Sequence, residues 1–288
     1  MFDFLVSALT FASLYGLMAL GLNLQAGYAG LLNFGHIAFA GVGAYATGIA
    51  IQAGHAWWSG MALGILLAMT LGWCMARLGR KLASDYWGIA TLAIAEILRV
   101  IATNEGWLTG GAQGIGAIPT LADGVGFLVM MLVLLAVAAL LCQRLADGRF
   151  GRALRLMREE PQLAACMGYD LTSLKSRAIM SGAALTAVGG SLYAHFMSYV
   201  GPDYVLASET FLLWTMLMIG GLGNLRGVLL GVFLVQCAYS LVPFAKDHLG
   251  FDSDLAGALR LGLIGAILLA CLMWRSEGLI PEKVRKIT

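Results

Sequence analysis

The chain has 288 residues, of which 60% are hydrophobic and 12% are charged, and its formal net charge is +2. An ordinary soluble domain carries about 25% charged residues, so this composition excludes a soluble globular fold. The small net charge also gives no reason to expect a nucleic-acid partner.

Long apolar segments follow one another along almost the whole chain. A helix that crosses a bilayer needs about 20 mostly apolar residues. By this measure the sequence predicts an all-α polytopic membrane protein of about nine transmembrane helices, with eight to ten compatible, in a single domain over residues 1–288. The predicted spans are Phe4–Leu24, Leu31–Gln52, Trp57–Ala76, Tyr86–Thr103, Val125–Gln143, Ser176–Val200, Ser208–Leu222, Gly227–Val242 and Ala256–Trp274.

Basic residues occur in alternate segments between these spans, and the remaining segments are mainly acidic. Because Lys and Arg are enriched in cytoplasmic loops, nine spans with this pattern predict an N-terminus outside and a C-terminus in the cytoplasm. The basic residues are Arg77, Arg80 and Lys81 after the third span, Arg144, Arg149, Arg152, Arg155, Arg158, Lys175 and Arg177 between the fifth and sixth, and Arg275, Lys283, Arg285 and Lys286 in the tail.

The junction between the first two spans is rich in glycine and carries several polar side chains. Residues 27–48 contain Asn33 and His36, and Asn23 and Gln25 lie just before them. Such a sequence is poor at forming one straight helix, and a broken helix at membrane depth often lines a solute path. A plain short loop with tight glycine packing is an equally good interpretation. For His36 we favour a hydrogen-bonded structural role over proton transfer.

Two ionisable residues, Glu96 and Arg99, lie within the fourth predicted span. Charged side chains in a bilayer are unfavourable unless they are paired or hydrated, so they are candidates for function. Their spacing places both on one face of a helix. We favour a structural ion pair, which Arg260 can join, and a role in a solute path stays open. The next segment, 105–114, is interpreted as too rich in glycine to be a helix, and it forms either an external lip or a flexible connector.

The segment between the fifth and sixth spans holds the strongest candidate for contact with a soluble partner. Arg152, Arg155 and Arg158 recur every three residues and so follow one side of a helix. Pro161 suits the first turn of a second helix, which Gly168 can end. Such a helix pair either docks a soluble protein or lies on anionic lipid through its arginines.

A second Gly-rich junction, Gly220–Gly227, joins the seventh and eighth predicted spans and also contains an asparagine, Asn224. Both junctions follow a span that is predicted to run from outside to inside. An internal duplication would explain the similarity, and chance similarity between Gly-rich membrane turns explains it equally well.

Motifs for catalysis or for binding a metal or a nucleotide are missing from the sequence. The five cysteines lie far apart, without a CxxC pair or a Cys/His cluster. GxSxG, HExxH and P-loop motifs are also lacking. We therefore expect no catalytic residue, no metal site and no cofactor bound by this chain, and ATP-driven transport would need another subunit.

Several segments resemble one known family, the inner-membrane permeases of branched-chain amino-acid ABC importers, and within it the M-type subunit. The resemblance runs in order along nearly the whole chain. Its segments are GLNLQAGYAG at 21–30, GHIAF at 35–39, GVGAY at 41–45, YWGIATLAIAEILR at 86–99, LTGG at 108–111, FGRALRLMREEPQLAACMG at 150–168 and GGLG at 220–223.

This resemblance implies a permease subunit that is not itself an enzyme. It implies a heterodimer with a second permease, two cytoplasmic ATPase subunits that hold ATP and Mg, and a periplasmic solute-binding protein. It also implies a bacterial inner membrane and a path for leucine, isoleucine or valine. Closely similar permeases carry urea, short-chain amides or other amino acids, and a stand-alone secondary transporter is the remaining alternative.

Two sets of candidate residues follow. The resemblance implies an ATPase-coupling loop at about 144–176, with Arg152, Arg155, Arg158, Glu159, Glu160, Ala164, Ala165 and Gly168. Candidates for the translocation pathway are Asn23, Asn33, His36, Tyr45, Glu96 and Gln236.

Overall fold

The computed structural model describes residues 2–82 and 84–249, and beyond them residues 262, 265–267, 269–271, 273–274 and 278–282. The helices are α1 (Phe2–Asn23), α2 (Ile37–Gln52), α3 (Trp57–Leu78), α4 (Ser84–Asn104), α5 (Gly106–Thr109), α6 (Gly124–Asp147), α7 (Arg149–Glu159), α8 (Pro161–Cys166), α9 (Leu171–Met197), α10 (Ala207–Gly220) and α11 (Leu225–Leu249). Shorter elements are a π-helical turn at Leu24–Tyr28, 3-10 turns at Gly79–Lys81, Gly111–Gln113 and Pro202–Val205, and the strands β1 (Ile115–Gly116) and β2 (Tyr199–Val200).

The prediction of an all-α chain with several apolar helices is confirmed. In the part of the chain that the structure describes, four helices are long and apolar enough to cross a membrane, namely Phe2–Tyr28, Trp57–Leu78, Tyr86–Asn104 and Gly124–Asp147. Three shorter apolar helices are Ile37–Gln52, Ala207–Gly220 and Leu225–Ser240. The total of nine spans stays a prediction, because the ninth, Ala256–Trp274, lies largely outside the described residues.

Two helices begin five or six residues away from the start of the corresponding predicted span. The second helix begins at Ile37 and not at Leu31, because the backbone turns at Gly30, whose φ is +67°. The helix predicted from Ser176 begins already at Leu171, because the Asp170 carboxylate accepts a hydrogen bond from the Thr172 amide and caps the helix there.

The core forms around two helices, α1 and α9. α1 packs against α6, α9, α10 and α11, and its residues from Ser13 onwards are buried. α9 packs against α1, α2 and α3. A helix that is apolar on all sides suits such a central position, because every side faces another helix.

Glycines let these central helices approach to backbone contact. A Cβ atom added at Gly43 of α2 or at Gly190 of α9 would overlap a backbone carbonyl of the facing helix. Gly21 of α1 and Gly182 of α9 face each other in the same way, and Gly64 of α3 lies against Gly43. Small residues are typical of tight helix contacts in membranes, so α1, α2, α3 and α9 form one closely packed group.

We expect Gly190→Ala to lower the melting temperature of the purified protein, because the new methyl group would overlap the carbonyl of Ala40. Overpacking of this kind costs about 1–3 kcal/mol. The matched control is Gly126→Ala in α6, where the added Cβ would meet only Ala122, at 3.5 Å. Equal melting temperatures for the two variants would contradict the backbone contact.

The segment after α4 contains more regular structure than its glycines suggest. Gly106–Thr109 form one helical turn, which corrects the interpretation that 105–114 is too rich in glycine to be helical. β1 then pairs antiparallel with β2, with Ile115 opposite Val200. The segment is therefore held against the end of α9, rather than forming a free connector.

Candidate functional site

Backbone groups in the break between α1 and α2 are hydrogen-bonded by Asn33 within the break and by side chains of α4 and α10. Three backbone N–H groups in or beside it donate to side-chain oxygens: Phe34 to Thr91 Oγ1 at 3.0 Å, Gly35 to Asn33 Oδ1 at 3.0 Å and Ile37 to Thr210 Oγ1 at 3.2 Å. The structure thus has a broken segment whose freed backbone groups are bound by protein, as a membrane interior requires.

A buried polar cluster lies directly behind this break. Asn33 and Gln25 are both 0% exposed, and Asn33 Nδ2 donates to Gln25 Oε1 at 2.8 Å. Gln25 Nε2 in turn donates to the carbonyl of Ile179 in α9 at 3.1 Å. Buried polar groups are stable when each has a partner, so these amides fix the break against α9.

His36 belongs to the same cluster and is fully buried. Its Nε2 lies 2.7 Å from Thr186 Oγ1 and 3.1 Å from the carbonyl of Met18, and its Nδ1 lies 3.3 Å from Gln25 Oε1. A neutral imidazole has a single N–H, so only one of the Met18 carbonyl and Gln25 Oε1, which both only accept, receives it. This geometry is that of a hydrogen-bonded structural residue, the role we favoured from the sequence.

The six candidates for the translocation pathway do not converge on one cavity lined by described residues. Asn33 and His36 lie in the buried cluster, and Asn23 Oδ1 accepts a hydrogen bond from the Gly223 amide at 3.0 Å, so the two Gly-rich junctions touch. Two others, Tyr45 and Gln236, are buried and each carry a side-chain oxygen without a hydrogen-bond partner in the described structure.

The sixth candidate, Glu96, lies on the outward face of α4. Arg99 Nη2 is 2.5 Å from Glu96 Oε1, and Arg99 Nε donates to both carboxylate oxygens at 3.0 Å. The Glu96 side chain is 50% exposed and that of Arg99 is 26% exposed. The two residues form an ion pair on the helix surface, and Arg260 lies outside the described residues.

The helix pair predicted between the fifth and sixth spans consists of α7 and α8. Pro161 is the first residue of α8, as predicted. Gly168, with φ +85°, follows the end of α8, which is also as predicted. α7 turns Ala153, Leu154 and Met157 towards the body of the protein. The local sequence therefore determined both helices and the turn between them.

Two of the four arginines in α7, Arg155 and Arg158, bind the C-terminal segment of the chain. Arg155 Nε lies 2.6 Å from Glu282 Oε1, and Arg158 Nη2 lies 2.7 Å from Glu282 Oε2. Arg158 Nη1 also donates to the carbonyl of Gly27, and the Arg155 guanidinium lies 4.9 Å from the ring centroid of Tyr28. These contacts attach α7 to the end of α1 and to the C-terminal segment.

The Glu282 carboxylate is only 13% exposed, whereas the Arg155 and Arg158 side chains are 29% and 23% exposed. Burial disfavours the charge on Arg158, but the hydrogen bond and the charge of Glu282 outweigh burial and raise the pKa of Arg158 above its ordinary value. The Arg158 guanidinium is therefore held in its charged form by Glu282.

The segment that carries Glu282 is itself held by backbone contacts. The amides of Leu279 and Ile280 donate to the carbonyls of Ile219 and Gly220 at 2.9 and 3.1 Å. Asn224 Nδ2 donates to the carbonyl of Pro281 at 3.1 Å. Residues 279–282 thus join the α10–α11 junction to α7, and we call these residues the C-terminal clasp.

The coupling role expected for Arg155 and Arg158 stays a prediction, and the structure adds that both side chains bind Glu282 within the chain. Arg152 is exposed, and its Nη1 donates to the carbonyl of Asp147 at 2.9 Å. Glu282 was missed from the sequence, and no local signal links it to a helix more than a hundred residues earlier. The outward surface lies instead on α8 and just after it, where Leu163, Met167 and Tyr169 are 50%, 63% and 41% exposed.

Residues 4–272 match the family model described as branched-chain amino acid transport system / permease component. The probable branched-chain amino acid transport permease protein LivM of Methanocaldococcus jannaschii is 29% identical over 98% of this chain and 94% of its own length. LivM of Salmonella typhimurium is 26% identical over 96% of this chain and 70% of its own. LivH of the same organism is 24% identical over 82% and 83%.

Proposed function

Because the chain belongs to the family of branched-chain amino acid transport system permease components, we propose that it is the M-type permease subunit of an ABC importer for leucine, isoleucine and valine. The observation that carries this proposal is the family match over residues 4–272, nearly the whole chain. The protein is a multi-pass membrane protein that works as a transport component. In this proposal it forms part of the translocation pathway in a bacterial inner membrane, and partner subunits hydrolyse ATP.

We further propose a single domain over residues 1–288 with nine spans, the N-terminus outside and the C-terminus in the cytoplasm. The grouping of basic segments supports this topology. Gly79, Arg158 and Lys175 line one cavity, so the α3–α4 turn, α7 and the start of α9 lie at the same end of the molecule. Arg158 also binds the C-terminal clasp at this end. Basic segments on one side are what the positive-inside rule requires.

The partners proposed for this chain are a second permease subunit, two cytoplasmic ATPase subunits and a periplasmic solute-binding protein. α8 is the proposed contact with an ATPase subunit. The exposed side chains here are Leu163 in α8 and Met167 and Tyr169 just after it, which are apolar or aromatic and lie outside the predicted spans. A grouped apolar surface on a soluble-facing segment is typical of a protein contact.

The contacts of α7 connect the exposed surface of α8 mechanically to the membrane domain. A displacement of α8 moves α7, to which it is joined directly at Glu160 and Pro161. Because Arg158 donates a hydrogen bond to the carbonyl of Gly27, a movement of α7 also displaces the π-helical turn that follows α1. This turn leads into the broken segment, so the proposed route ends where the helix geometry is already interrupted.

The double substitution Leu163→Asp and Met167→Asp is expected to remove the ATPase subunit from the purified complex. Burying each side chain contributes about 1.5 kcal/mol at the lower end of the range, so losing both weakens binding about 100-fold. The measurement is the amount of ATPase that co-purifies with the tagged chain. Trp107→Asp is the control and is expected to leave the complex intact, because Trp107 is 82% exposed and lies beyond the end of α4 that is remote from the α3–α4 turn. Undiminished co-purification with the double variant would contradict the proposed contact.

The transport proposal itself is tested with the complete importer in vesicles that contain ATP. We expect ATP-dependent uptake of radiolabelled leucine that requires this chain, the ATPase and the binding protein. Uptake of urea or an amide without uptake of leucine would contradict the substrate. Uptake by this chain alone, driven by an ion gradient, would contradict the importer.

A further inference from the structure

A cavity of 340 Å³ opens beside the first half of α1, at the end of the helix opposite to α7. It is enclosed by α1, α9, α10 and α11, and it extends along α1 from Phe4 to Tyr15. At a rise of 1.5 Å per residue, this is a length of roughly 16 Å. The cavity therefore reaches from one end of the predicted first span to about its middle.

The inner part of this cavity carries hydrogen-bond acceptors. Gln236 is 3% exposed, lines the cavity and has a buried side-chain oxygen for which the described residues offer no donor. The Glu209 carboxylate also lines the cavity and accepts a hydrogen bond from the Tyr15 hydroxyl at 2.6 Å. Glu209 lies in the first turn of α10, where the helix dipole stabilises a negative charge. Burying a hydrogen-bond acceptor without a donor costs free energy, so the inner part of the cavity suits a ligand that donates hydrogen bonds.

Apart from Ser7 and Ser240, the rest of the described lining is apolar or aromatic. Phe4, Ala8 and Phe11 line its α1 side, and the Phe11 ring lies edge-on against Phe196 at 5.0 Å. The described lining contains no Lys, Arg or His side chain. An ammonium group has three donors and no acceptor, so it matches the inner end, and an aliphatic group matches the aromatic wall.

We propose that this cavity binds the transported solute during its passage, with Gln236 and Glu209 accepting hydrogen bonds from the solute's ammonium group. Phe4 and Phe11 then contact its aliphatic side chain. The inference rests on the proposed function as an importer of aliphatic amino acids, and it adds the solute-contacting residues. Of the six pathway candidates named from the sequence, it selects Gln236.

The first test is Gln236→Leu, which removes the acceptor and keeps a side chain of similar length. In the complete reconstituted importer, at saturating leucine-loaded binding protein, we expect the transport rate to fall at least tenfold. The melting temperature should not fall, because no described partner of Gln236 loses a hydrogen bond. Gln143→Leu is the matched control, on the exposed side of α6, and it is expected to transport at the rate of the unmodified importer. An unchanged rate with Gln236→Leu would overturn the proposal, as would a fall that the melting temperature follows.

The second test does not depend on transport. Ser7 is exposed and lines the cavity, so Ser7→Cys, in a chain whose own cysteines are replaced by alanine, reports on access to it. We expect this thiol to react faster with a cationic than with an anionic methanethiosulfonate, and Glu209→Gln should remove the difference. Leucine should slow the cationic reaction.

Equal reaction with both reagents would overturn the cation site, and so would a lack of protection by leucine in an importer that transports leucine. Should the complete importer fail to transport leucine, the proposed function fails. A charge preference that depends on Glu209 would still support a site for a cationic group in that case.

Discussion

Glu282→Lys is expected to lower the number of leucine molecules transported per ATP hydrolysed by about tenfold or more, because breaking a largely buried ion pair costs several kcal/mol. In the structure the Glu282 carboxylate joins Arg155 and Arg158, at 2.6 and 2.7 Å. A lysine at this position would place three positive charges together and release α7 from the C-terminal clasp. Repulsion by the lysine would also displace Arg158 from the carbonyl of Gly27, so movement of the proposed ATPase contact, α8, would no longer reach the π-helical turn at the end of α1.

The measurement is the ratio of transport to ATP hydrolysis in reconstituted vesicles. Glu282→Gln should give an intermediate ratio, because it removes the charge and keeps one acceptor oxygen. Glu105→Lys reverses an exposed charge in the segment after α4 and is expected to leave the ratio unchanged. A normal ratio in Glu282→Lys would mean that the clasp has no part in coupling.

A second large effect is expected from Asn33→Leu. This change leaves the Gly35 amide without its acceptor and removes the donor that Asn33 gives to Gln25 Oε1. Because each unsatisfied buried group costs about 1–3 kcal/mol, the two together cost about 2–6 kcal/mol. We expect a much lower melting temperature and little folded protein in the membrane.

Asn104→Leu is the matched control, because Asn104 is exposed and its amide donates only to the carbonyl of Val100 within α4. It is expected to fold normally. Thermal unfolding in detergent, measured together with leucine uptake, distinguishes a structural role of Asn33 in the buried cluster from a role in the translocation pathway. Normal stability with lost uptake would instead favour the pathway role predicted from the sequence.

The apolar runs of the sequence predict most long helices, because length and hydropathy are local properties. Hydropathy wrongly includes residues 31–36 in a helix, because they are apolar enough for a span although the backbone turns at Gly30. The early start of α9 has a local signal in the Asp170 cap, which hydropathy does not detect. The number of spans depends on residues 256–274, most of which lie outside the described part of the chain.

The candidate sites were predictable to a smaller extent. The spacing of the basic residues and the position of Pro161 predict α7 and α8, because helix periodicity and helix starts are local. The partner of Arg155 and Arg158 lies at residue 282, and such long-range pairing leaves no trace in the local pattern. For the same reason, the sequence could not distinguish buried amides that hold the break, such as Asn33, from an amide that faces a cavity, such as Gln236.

The glycine contacts restrict how this protein can change shape. Helices that touch through their backbones, as α2 and α9 do at Gly43 and Gly190, cannot shear past each other, because a shift of one residue would drive a side chain into a carbonyl. α1, α2, α3 and α9 therefore move as one rigid body. α4 packs mainly against the short turns Pro202–Val205 and Gly111–Gln113, and it is joined to the break before α2 by the hydrogen bond from the Phe34 amide to Thr91. We therefore expect any opening and closing within this chain to occur outside this group of four helices.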